Sequence, residues 1–127
     1  MAVMDVTELD VYKKSYELAM LAFAISKGFP QEEKYALTGQ IRRSSRSVSL
    51  NLREACAKRR YPAHFISKLT DCDGENAETA TSLDFACDGG YITKPTHTDM
   101  KARNAEVGRM LGAMIKHPQK YCPQPDA

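Results

Sequence analysis

The chain has 127 residues, 43% of them apolar and 27% charged, with a formal net charge of +2. That length makes one domain able to bury most of its apolar surface, and so small a net charge means that affinity for a polyanion must come from charge gathered locally. No stretch approaches the roughly 20 apolar residues of a membrane span, and the start MAVMDVTELDVYKK lacks the apolar core of a secretory signal.

Residues 1–8 read as a loose tail, followed by a first helix over about 9–27. Asp10 is its expected cap and Gly28-Phe29-Pro30 its stop. This helix is apolar on two sides. One stripe contains Tyr12, Tyr16, Met20 and Phe23, the other Val11, Leu18, Leu21 and Ile25, so it asks for two packing partners. The second partner is either the rest of its own bundle or another subunit. A second helix is predicted over 32–59, with Leu37, Ile41, Val48, Leu52 and Ala55 as its inward seam. Pro62 opens a third, over 62–88, whose seam includes Phe65, Leu69, Cys72, Leu83 and Cys87, with Asn76 among them. Gly74 in mid-helix implies close approach of a neighbour. The fourth helix is predicted over 96–116, capped by Thr96 or Thr98. Its seam, Met100, Asn104, Val107, Leu111 and Met114, has coiled-coil spacing. A second loose tail, 118–127, follows. The whole reads as a single all-α domain, an antiparallel up-down-up-down four-helix bundle.

Seven of the eighteen Lys and Arg residues fall between Leu37 and Arg60: Arg42, Arg43, Arg46, Arg53, Lys58, Arg59 and Arg60, against one acid, Glu54. At 100° per residue, Arg42, Arg46, Arg53 and Arg60 lie within about 40° of one another, on a face apart from the apolar seam. Guanidinium groups stay charged and grip phosphate through two parallel hydrogen bonds, so this stripe is a candidate surface for RNA or DNA backbone. Tyr35 and Tyr61, near the ends of the second helix, could stack on bases. The plainer alternative is a solvated charged face. The third helix bears Asp71, Asp73, Glu75, Glu78, Asp84 and Asp88, a natural neighbour that would neutralise the basic one.

No catalytic set stands out. His64, His97 and His117 lie near helix ends, and no Glu-x-x-His pair, phosphate loop or glycine fingerprint is present. Cys56, Cys72, Cys87 and Cys122 are widely spaced, which fits reduced, buried thiols in a cytoplasmic protein better than a zinc site. The expectation is a protein that is not an enzyme and holds no metal or cofactor.

Gln40-Ile41-Arg42-Arg43, Ser47-Val48 and Asn51-Leu52-x-Glu54-Ala55 resemble the central motif of the bacterial four helix bundle proteins, also called the 23S ribosomal RNA intervening-sequence or S23 family. Leu9-Asp10-Val11-Tyr12, the run from Gly28 to Thr38, and Gly90-Tyr91-Ile92 fit the same pattern. The resemblance implies a bundle that assembles as a homo-oligomeric ring, usually a pentamer. The family is similar to the accessory variability proteins of diversity-generating retroelements, basic barrels that bind nucleic acid and a reverse transcriptase. The chain departs from the pattern at Leu50, where proline is common, and at Asp71, Asp73 and Glu75, where small or apolar residues are. Two readings stand: an oligomer that binds RNA or DNA backbone through the basic helix, or a scaffold that docks a partner protein.

Overall fold

The structure, a computed structural model, describes residues 5–123. Four helices carry the chain: α1 (Asp10–Ser26), α2 (Gly39–Ala57), α3 (Pro62–Asp88) and α4 (Lys94–Lys116). Each packs on its sequence neighbours and α4 closes back on α1, giving an antiparallel up-down-up-down four-helix bundle. Leu18 and Ala22 of α1, Ile41, Val48 and Leu52 of α2, Phe65, Leu69 and Leu83 of α3, and Val107 and Leu111 of α4 fill its interior. Every residue of the expected α4 seam is buried.

Small polar side chains cross this core in bonded pairs. Ser15 meets Ser49 at 2.9 Å, joining α1 to α2, and Ser44 meets Thr79 at 2.8 Å, joining α2 to α3. Between α3 and α4, Asn76 Nδ2 donates to the Asn104 carbonyl at 3.0 Å, and Asn104 Nδ2 donates to the Asn76 carbonyl at 2.8 Å. Each of these six side chains thus has a partner across the interface, which offsets the cost of burying it.

The helix ends differ from expectation where side chains or prolines decide them. The chain from Gln31 first makes a 3-10 turn (Gln31–Glu33) and a π-helical turn (Lys34–Thr38), so α2 starts at Gly39. The Glu33 carboxylate takes the Leu37 N–H at 3.3 Å and the Tyr91 hydroxyl at 2.8 Å, anchoring this wider turn. At its other end α2 stops at Ala57. Tyr61, ahead of Pro62, is extended at φ −115° and ψ 97°, as the residue before proline prefers, and Lys58–Arg60 form the turn between. Thr93, not Thr96 or Thr98, caps α4, its hydroxyl accepting the Thr96 N–H at 3.3 Å. Asp10 is the first helical residue of α1 and not its cap.

The two tails are anchored in part. Asp5 caps a 3-10 turn, Val6–Glu8, that buries Val6. After α4, Pro118–Lys120 turns the chain back so that Cys122 is buried and Tyr121 packs on Phe65, ring centroids 6.0 Å apart. Residues 1–4 and 124–127 of the expected tails lie outside the described residues. Gly74 does not mark a close approach either: a Cβ there would meet nothing within 4 Å. The close approach of α3 and α4 is at Gly108, where a Cβ would sit 3.4 Å from Asn76 Nδ2.

Candidate nucleic-acid interface

With Ile41, Val48 and Leu52 turned into the core, α2 presents its arginines along two different edges. Arg42 and Arg46 face α1. Arg42 Nε donates to Ser26 Oγ at 2.8 Å, and its guanidinium lies 4.7 Å from the centre of the Phe23 ring. The Arg46 guanidinium lies 5.5 Å from the same ring and the Lys27 amine 4.8 Å. A ring face attracts cations within about 6 Å, so Phe23 gathers three positive groups into one array. Phe23 belongs to the outer apolar stripe of α1, and nothing in that spacing distinguishes it from an ordinary packing residue.

Arg53 continues the array. It lines a cleft of about 290 Å³ with Arg46, Tyr12 and Tyr16, and a shallower one of about 560 Å³ with Arg59 and Arg60. Arg60 therefore joins the stripe through the turn after α2, not through helical periodicity. Asp5 borders this lower cleft. Its carboxyl is held below the usual range mainly by the Thr7 backbone N–H and hydroxyl, with a smaller contribution from Arg53. Lys58 is exposed beside Arg59.

Arg43 points the other way. Its guanidinium pairs with Glu75 at 3.3 Å and Glu78 at 2.6 Å on α3, and Glu75 most of all raises its pKa. The acid of the basic segment, Glu54, is taken by Lys68 of α3 at 2.7 Å, which lowers its pKa. The expected neutralisation by α3 is thus confined to Arg43, because the acidic helix lies on the opposite flank of α2 from the stripe. Among the described residues, no carboxylate forms an ion pair with Arg42, Arg46, Arg53 or Arg60. Arg43 leaves the candidate surface, and Tyr12, Tyr16 and Phe23 enter it. The two tyrosines marked by sequence lie apart from the stripe's centre. Tyr35 is exposed beside Lys34, and Tyr61 tilts onto His64.

The thiols offer little chemistry. Cys56, Cys72 and Cys122 are buried, and burial pushes the Cys72 thiol up to about 12. His97 instead ties α4 to α3, its Nε2 lying 2.8 Å from Asp84, which Lys101 also reaches at 2.8 Å.

The model of the 23S rRNA-intervening sequence protein family matches residues 7–113. The chain belongs to this family. A solved structure of a protein of unknown function from the S23 ribosomal protein family of Bacteroides thetaiotaomicron is similar: 31% identical, covering 84% of this chain and 95% of that one, with a TM-score of 0.75. No curated protein matches the chain. The family motif from Gln40 to Ala55 is the body of α2. Within it Gln40 bonds Glu78 of α3 at 3.3 Å and Asn51 bonds back to the Ser47 carbonyl at 2.9 Å. Gln40 thus ties α2 to α3 and Asn51 bonds within α2, whereas the arginines facing α1 make no such tie to α3.

Proposed function

We propose that this member of the intervening-sequence family is a non-enzymatic, homo-oligomeric cytoplasmic protein that binds RNA or DNA backbone through the basic face of α2. The observation that carries the reading is the set Arg42, Arg46, Arg53 and Arg60, none of them in an ion pair with a described carboxylate, with Arg42 and Arg46 stacked on Phe23 and Arg42 bonded to Ser26. Cations kept apart from protein carboxylates hold their full attraction for phosphate, and a head group fixed by stacking loses little freedom on binding. Arg46, Arg53, Lys58, Arg59 and Arg60 extend the same surface. The family's name ties it to intervening sequences of 23S rRNA, which favours RNA as the polyanion. The outward apolar residues of α1 support assembly, and a closed ring, a pentamer by resemblance, would repeat the stripe around its rim.

Substituting Arg42→Glu and Arg60→Glu, at the two ends of the stripe, tests the reading without touching its middle. The double variant should keep the circular dichroism of a helical bundle. Its salt dependence of RNA binding should be shallower by about 1.4 in the log–log slope, ~0.7 for each lost phosphate contact on a single strand. A folded double variant with unchanged affinity and slope contradicts it.

A further inference from the structure

Two grooves flank α2, and their characters are opposite. The first, between α1 and α2, is floored by Tyr16, Met20 and Leu50 and edged by Arg46 and Arg53; among the described residues no carboxylate lines it. The second, about 890 Å³, runs between α3 and the turns that lead into α2. Its apolar floor includes Ala36, Leu37, Ala77 and Phe85, its edges are Glu33, Glu78 and Asp88, and among the described residues no cation lines it. Six large apolar side chains are exposed among the described residues, and four of them lie in these grooves: Tyr16 at 54%, Met20 at 53% and Leu50 at 64% in the first, Phe85 at 65% in the second. Such residues scattered singly need no explanation; three gathered in one cleft make it a candidate for contact with a partner.

We propose that the two grooves are halves of one contact between copies of this chain, with Phe85 of one copy seated among Tyr16, Met20 and Leu50 of the next. The size fits: a cavity of roughly 150 Å³ holds benzene, and the first groove offers about 290 Å³. Methionine beside an aromatic ring is a favourable lining. The charges fit as well. Glu78 is held by Arg43, but Glu33 is bonded only to neutral donors, and Asp88 has no ion-pair partner among the described residues. Both carboxylates would meet Arg46 and Arg53. Neither groove can pair with itself, since like charges would face each other, so a symmetric two-fold dimer through either is disfavoured. The contact is head-to-tail and relates two different sides of the bundle, the kind that closes into a ring or runs on as a filament. Gly74 gains a role in this arrangement: it keeps the second groove open where a side chain would begin to fill it.

The proposal rests on the homo-oligomer part of the function above and not on nucleic-acid binding. In the assembly Arg46 and Arg53 face the neighbour, while Arg42, Lys58, Arg59 and Arg60 stay outside the contact to meet phosphate.

The test is the solution mass, by light scattering, of the full chain and of two variants, Leu50→Asp and Phe85→Asp. Both positions are exposed, so each variant should stay helical. The wild type should be larger than a monomer and each variant alone monomeric. A mixture of the two variants should give a one-to-one dimer and nothing larger, because only the Phe85 of one and the intact cleft of the other can join. Variants that remain oligomeric overturn the proposal while leaving assembly standing. Monomeric variants that fail to pair when mixed overturn the head-to-tail match. A monomeric wild type overturns both this contact and assembly, and leaves RNA binding through Arg42 and Arg60 to be judged by its own salt dependence.

Discussion

Arg42 and Arg43 are adjacent in sequence and opposite in circumstance. One successive residue turns a helix by about 100°. That rotation sends Arg42 to Ser26 and Phe23 on α1, and Arg43 to Glu75 and Glu78 on α3. Helical arithmetic separated the two faces in advance, but it carried no information on which face would meet acid. That depends on which helix packs on which side. At the same scale, Asn76 and Asn104 make the bundle's most committed polar contact, with three bonds between them. Asn104→Ala leaves the buried Asn76 side-chain oxygen without its partner and should cost about 1–3 kcal/mol, a fall of several degrees in melting temperature by calorimetry. An unchanged melting temperature would mean that water replaces the amide freely. Asn104 was legible as a member of the α4 seam from its spacing. Its partner was not, because a seam position says which way a residue points and not what it meets.

At the scale of elements, the four helices follow from their apolar periodicity, and the third was bounded correctly by Pro62 and Gly89-Gly90. The errors fall where one side chain overrides the pattern, as Glu33 does in delaying α2 and Thr93 in advancing α4. Gly74 offers a direct check. Since a Cβ there meets nothing, Gly74→Ala should stabilise α3 by about 0.5–1 kcal/mol through helix propensity alone. The measurement belongs in the Phe85→Asp background, where the groove is empty, and a lower melting temperature would show that the site is filled. The tie between α3 and α4 predicts a pH effect. Lys101 first, then His97, holds the Asp84 carboxyl below its usual range. A carboxyl lowered on folding stabilises the protein above its unfolded pKa and stops doing so as pH falls through its folded value. Asp84→Asn should therefore lower neutral-pH stability slightly, by ~1 kcal/mol or less for so exposed a group. The gap to wild type should close in acid below the ordinary carboxylate range. A gap that stays constant with pH would assign the effect to packing.

For the whole molecule, a net charge of +2 hides a division: basic along the α1 side of α2, acidic along the α3 side. The account makes the first edge a nucleic-acid surface and the two grooves a self-contact. The measurement that bears most directly on it is the affinity of the wild-type protein for a labelled RNA across a series of salt concentrations. Four cations outside the self-contact, Arg42, Lys58, Arg59 and Arg60, meeting phosphate predict a log–log slope near −3, from ~0.7 per contact on a single strand. Binding that is absent at low salt, or a slope near zero, would contradict it.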